Sequence, residues 1–178
     1  MAKFEQVGRR RPSGSEYLAV SAIIVAGVLA IAALSTRPAI PADPTDIVSP
    51  MIAMFALTAA VWLLMVISRN GAVLLGGASL QYFRDYETEP PSEWIERPAR
   101  AFNNLMQVPT LFYVVMLMMI ALHSVDALQL SLAWMYVASR AIHAAIYILF
   151  NHVPFRFAVY AVSCITLAIM WARFALNL

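Results

Sequence analysis

Five polar side chains, Tyr136, Arg140, His143, Tyr147 and Asn151, follow one another at offsets of four, three, four and four residues through an otherwise apolar stretch. On a helix those offsets hold all five on one stripe. The stretch is long enough to cross a bilayer, and Arg140 stands about ten residues from its end, roughly 15 Å deep. Burying a charge at that depth costs on the order of 3 kcal/mol even on the mildest insertion scale, so the arginine requires a partner, a water-filled cavity or a ligand. The chemistry such a stripe suits is recognition of an anion.

A second series precedes it. Arg100, Asn104 and Gln107 recur at offsets of four and three, again on one helical face, and Pro109 follows two residues later. Inside a helix that proline removes one backbone hydrogen bond and bends the axis. Asn104 and Gln107 lie about 6 and 10 Å from the start of their span, and Tyr147 and His143 about 5 and 10 Å from the end of theirs, so the two series are expected to face each other at matched depth. Hydrogen bonding between neighbouring helices accounts for Asn104 and Gln107 taken alone. Arg100, Arg140 and Arg156 alter the balance: three cations gather near one pocket, whereas Asp126, the acidic residue of the second helix, sits at its far end. Uncompensated positive charge points to an anionic ligand entering from the cytoplasm.

The elements that must position these residues are membrane spans. Only 12% of the 178 residues are charged and 62% are hydrophobic, against roughly 25% charged in an average soluble domain. Apolar runs at Leu18 to Ser35, Ile47 to Ile67, Ala101 to Leu122, Ala127 to Phe150 and Phe155 to Leu176 each approach the roughly twenty residues that cross the hydrocarbon core. The fold class is therefore all-α integral membrane. Residues 1–45 are expected to form a basic N-terminus and a first transmembrane helix, and 46–178 a four-helix domain with a loop at 71–100. Turns of about four residues at 123–126 and 151–154 force the last three spans into an antiparallel up-down bundle.

Charge sets the expected orientation. Lys3, Arg9, Arg10 and Arg11 precede the first span, Arg69, Arg84, Arg97 and Arg100 lie around the long loop, and Arg156 opens the last span, whereas Arg37 and Arg173 stand alone at the other side. The positive-inside rule places the N-terminus, the loop and the 151–156 turn in the cytoplasm and the C-terminus outside. The first apolar run exceeds the length usual in a secretory signal, which favours an anchor over a cleaved leader. Pro38, Pro41 and Pro44 make a stiff turn between the first two spans. The carboxylates Asp85, Glu87, Glu89, Glu93 and Glu96 read as a solvated acidic loop, since no histidine or cysteine joins them at ligand spacing, and no metal is assigned. Cys164 excludes an intramolecular disulfide and packs as a small hydrophobe. His123 and His152 fall in turns, and nucleic-acid binding has no support, since apart from Arg140 the basic residues sit at membrane boundaries.

The stretch Arg100-Ala101-Phe102-Asn103-Asn104-Leu105-Met106-Gln107-Val108-Pro109 resembles the Arg-Ala, Asn, Glu and Pro signature of the membrane-associated proteins in eicosanoid and glutathione metabolism (MAPEG), the family of the microsomal glutathione transferases and leukotriene C4 synthase. Arg140, His143, Tyr147 and Arg156 are similar in type and spacing to the third-helix series and following arginine of the microsomal transferase branch, and weaker similarity reaches back through Ser49-Pro50-Met51. The resemblance implies a four-helix unit assembled as a homotrimer in a bacterial inner membrane, binding glutathione as co-substrate between subunits. Arg100, Asn104, Gln107, Arg140, His143 and Tyr147 would bind it, and Arg156 would be the catalytic residue that stabilises its thiolate. The reaction implied is transfer of the thiol to hydrophobic electrophiles from the lipid phase, or reduction of lipid peroxides. Two departures open a second reading: Gln107 stands where the signature has glutamate, and the first span is additional to the four-helix pattern. A noncatalytic accessory subunit of a larger membrane complex would explain both. A channel is disfavoured, because the polar residues cluster at one end of the spans.

Overall fold

A computed structural model describes residues 13–35, 40–86 and 90–177. Lys3, Arg9, Arg10, Arg11, Arg37, Pro38, Glu87 and Glu89 lie outside the described residues. Six helices follow in order: α1 (Gly14–Ser35), α2 (Val48–Leu74), α3 (Leu80–Asp85), α4 (Glu93–Ala121), α5 (Ala127–Leu149) and α6 (Val153–Leu176). All but α3 are long and apolar enough to cross a membrane. The all-α architecture and the five spans therefore stand as expected.

Two boundaries move. Helix α2 runs on to Leu74, where Gly76 takes a φ of 74° and the Gly77 N–H closes onto the Ala72 carbonyl at 2.7 Å. A residue without Cβ enters that left-handed conformation at little cost, which is why the helix stops there. Helix α4 begins at Glu93, two turns before the apolar run, so the 71–100 segment is largely structured. Its start is fixed by charge: Glu93 pairs with Arg97 at 2.9 Å, and Arg69 of α2 reaches Glu96 at 3.4 Å while lying 5.1 Å from the Phe83 ring of α3. The acidic stretch is thus a clamp joining α2, α3 and α4 as much as a solvated loop.

Lipid tails are as apolar as a leucine side chain, so burial alone gives these helices little reason to associate, and close packing and polar contacts must do so. Phe112 of α4 and Tyr136 of α5, both fully buried, stack with ring centroids 4.7 Å apart, and Met54, Met116, Met119, Leu132 and Met170 pack around them. Gln129 of α5 donates to the Met170 carbonyl of α6 at 3.2 Å, and the Trp171 indole N–H to the Leu111 carbonyl of α4 at 3.3 Å. Most of the hydroxyls in the spans, those of Thr58, Thr110, Ser131, Ser139, Ser163 and Thr166 among them, return to carbonyls of their own helix and demand nothing of their neighbours.

The two ends of the bundle are built differently. At one end residues 40–42 pair with 125–127 as an isolated antiparallel bridge, and Arg173 Nη2 meets Asp126 Oδ2 at 3.0 Å. Nearby, Thr45 donates its N–H and its hydroxyl to Asp43 Oδ1, each at 2.8 Å, holding that carboxyl below its ordinary range. At the other end lie Arg69, Arg84, Arg97, Arg100 and Arg156, together with the α5–α6 turn. The extra helix α1 packs along α6 and the flank of α5, with Gly27 seated against Val162 and Glu16 Oε1 3.3 Å from His152 Nε2. Ile31 is its one fully enclosed apolar side chain among the described residues, so α1 is a flanking element and the core belongs to α2, α4, α5 and α6.

Candidate functional site

The α5–α6 turn builds the site. Asn151 takes a φ of 47°, a left-handed conformation that asparagine tolerates, and its N–H closes onto the Ile146 carbonyl at 2.7 Å. Pro154 then occupies the first turn of α6, where a missing N–H has no helical partner to lose. This tight reversal lets Arg156 Nη1 donate to Asn151 Oδ1 at 2.7 Å and sets its guanidinium carbon 4.0 Å from the centroid of the Tyr147 ring. Both partners are neutral, so the cation is oriented without being neutralised.

Two turns along α5 from Tyr147, Arg140 is fully buried. Its Nη2 donates to the backbone carbonyl of Asn104 at 3.1 Å and to that residue's side-chain oxygen. Its guanidinium carbon lies 5.6 Å from the Tyr160 ring, and its Nε and Nη1 have no protein partner. A buried charge held by amide oxygens and a ring retains donors for something else. His143 is buried between Tyr147 and Tyr160, with centroid separations of 6.0 and 5.6 Å.

A cleft of about 290 Å³ is lined by Asn104, His143, Tyr147, Arg156 and Tyr160, with Val153 and Phe157 as its apolar members, and Arg140 lies behind Asn104 outside that lining. That volume stands at the lower edge of the roughly 300 to 1,000 Å³ usual for small-molecule sites. No carboxylate of a described residue lines it. Glu93 and Glu96 are engaged by Arg97 and Arg69, Glu16 lies beside His152, and Asp126 is at the opposite end. Among the described residues no group of three or more histidines, cysteines or acids collects anywhere.

Of the seven residues singled out in the sequence, the structure brings five together: Asn104, Arg140, His143, Tyr147 and Arg156. Arg100 and Gln107 are exposed and do not enter the cleft. The reason is rotational. At about 100° per residue they lie roughly 40° and 60° round α4 from Asn104, on the side away from Ala101 and Leu105, which face the core. The expected trio of arginines is therefore a pair within one chain. The register also shifts: because α4 starts at Glu93, Asn104 lies about 16 Å along it and meets Arg140 instead of Tyr147. Tyr160 escaped the sequence reading. Its signal is the offset of four from Arg156, which continues the polar stripe along α6.

The MAPEG family model matches residues 47–176, the four-helix part of the chain, and leaves α1 outside the match. No curated protein and no solved structure matches. The signature around Arg100 to Pro109, the cleft between α4, α5 and α6, and five apolar helices agree with that match: the chain is an integral membrane protein and belongs to the MAPEG family.

Proposed function

We propose that the protein is a membrane-bound transferase or peroxidase of the microsomal glutathione transferase kind, using glutathione or a related thiol against hydrophobic electrophiles or lipid peroxides. One observation carries this reading: Arg156 lines a cleft that no carboxylate of a described residue enters, and Arg140, buried behind the cleft-lining Asn104, has two guanidinium nitrogens without a protein partner. A thiolate with two carboxylates is the type of ligand that such a site favours. A thiol of pKa about 8.5 is only a few per cent ionised at neutral pH, and lowering that pKa by about two units takes roughly 2.7 kcal/mol of preference for the anion. Arg156, held on Asn151 and Tyr147 and facing the cleft, is the residue placed to supply it.

In conjugation the thiolate sulfur forms a bond to an electrophilic carbon, and the displaced electron pair leaves with its group or takes a proton. In peroxide reduction the sulfur takes the outer oxygen, the alcohol departs, and a second thiol converts the sulfenic product to a disulfide. Asn104, Arg140, His143 and Tyr147 hold the thiol compound, and Tyr160 adds a phenol to that set.

Arg100 and Gln107, exposed on α4, fit the same reading if a neighbouring copy completes the site across that face. The assembly is then a homotrimer with its basic end in the cytoplasm, in a bacterial inner membrane. The accessory-subunit reading has Gln107 in its favour, since an amide cannot pair with the ammonium of glutathione as a glutamate would. Calorimetric titration of the detergent-purified protein with glutathione and an S-alkylated analogue, with mass measurement of the assembly, separates the two. Saturable binding by a trimer, lost in Arg100→Ala, supports the enzyme. Absence of binding at millimolar ligand supports the accessory subunit.

A further inference from the structure

Helix α1 lies outside the family match, yet its first turns stand next to the basic cleft. Glu16, Tyr17 and Val20 of α1 and Val153, Pro154 and Phe157 of α6 line a half-open cavity of about 390 Å³ with carbon-lined walls. The Glu16 carboxylate is turned to His152 and to the Ser13 N–H, which leaves its stem to the cavity. Val153 and Phe157 line this cavity and the arginine cleft alike. The two spaces are thus separated by a partition of two side chains, one helical turn apart on α6 and flanking Arg156.

We propose that α1 supplies the acceptor subsite: the apolar tail of the electrophile lies between Tyr17 and Val20 on one side and Pro154 and Phe157 on the other, with its reactive head past Phe157 beside Arg156. This rests on the thiol-transfer reading above. It assigns to α1 a role in substrate selection and identifies the acceptor class as amphiphiles with one electrophilic end and an unbranched or flat apolar tail. The position suits such molecules, because only Val153 and Phe157 stand between this space and the cleft where the polar head must react. For a 2-alkenal the step is balanced within the site: the thiolate sulfur bonds to the β-carbon, the double-bond electrons pass to the α-carbon, and that carbon takes a proton from water.

The test uses the full-length protein in lipid nanodiscs, glutathione and a homologous series of 2-alkenals. Tail burial is worth about fourfold in kcat/KM for each methylene that enters the cavity. The wild type is expected to gain at that rate until the cavity is full and then level off. Val20→Trp, which fills the space, should flatten the series while leaving glutathione KM and the rate with the shortest alkenal unchanged. Tyr17→Ala, which enlarges it, should move the plateau to longer tails. A chain-length dependence identical in wild type and both variants overturns the subsite. A diazirine-bearing alkyl aldehyde gives a readout that needs no turnover. Labelling of Tyr17 or Val20 that long alkenals suppress and excess phospholipid does not supports the subsite even in a protein without transferase activity, a result that would sink only the thiol chemistry. Labelling suppressed equally by phospholipid, or spread over the outer helix faces, shows a lipid-filled groove and overturns the proposal.

Discussion

The two ends of the bundle treat arginine in opposite ways. At one end Arg173 meets Asp126 at 3.0 Å, and the same carboxylate accepts from the Gln129 N–H at 2.6 Å as the N-cap of α5. Among the described residues the arginine at this end is therefore neutralised by a carboxylate that also caps a helix. At the other end Arg140 and Arg156 rest on amide oxygens and aromatic rings, with acids nearby that are committed to other cations. A matched pair fastens helices, whereas an unmatched pair is a standing demand for an anion. The fold thus sets its carboxylate-paired Arg173 and its amide-held Arg156 at opposite ends of the bundle.

The sharpest way to break this contrast is Arg156→Ala. Loss of thiolate stabilisation should raise the bound thiol's pKa by about two units, a roughly 25-fold drop in thiolate at neutral pH seen in its ultraviolet absorbance, while the free energy of unfolding moves by about 0.5 kcal/mol or less. Wild-type turnover in that variant would remove Arg156 from the mechanism. Next in size, Gln107→Glu brings an acid to the open end, and is expected to tighten glutathione by about 1 to 3 kcal/mol in calorimetry through the ligand's ammonium. Unchanged or weaker affinity would show that Gln107 faces no bound ligand in the assembly. Asn104→Ala strips Arg140 of its side-chain acceptor and should cost about 1.5 kcal/mol of stability in a denaturant titration, along with glutathione affinity. The mildest change belongs to the closed end. Asp126→Asn keeps the helix cap and loses the ion pair, so stability should fall by about 0.5 to 1 kcal/mol with glutathione binding untouched. A binding defect in this last variant would mean that the two ends are coupled.

Much of this was legible because membrane helices advertise themselves. Apolar runs found all five spans to within a few residues at most ends, since hydrocarbon thickness dictates their length. The stripe from Tyr136 to Asn151 was equally plain: offsets on one helix are preserved whatever that helix packs against. The start of α4 was hidden because Glu93, Glu96 and Arg97 are polar yet helical, held by ion pairs that hydropathy ignores. Rotation about an axis is invisible to an offset rule, so Arg100 and Gln107 shared a stripe with Asn104 in the sequence and parted from it in space. The docking of α1 could not be read at all, because an evenly apolar helix carries no marked face and its seat depends on Gly27 meeting Val162.

Asn151 carries a further implication. Its backbone conformation turns the chain between α5 and α6, and its side-chain oxygen steadies Arg156. Glycine would serve the first duty and glutamine the second, but neither serves both. A lineage that lost the chemistry would be free to keep the turn with glycine, so the identity at this one position reports whether a sequence is still being held to a working arginine.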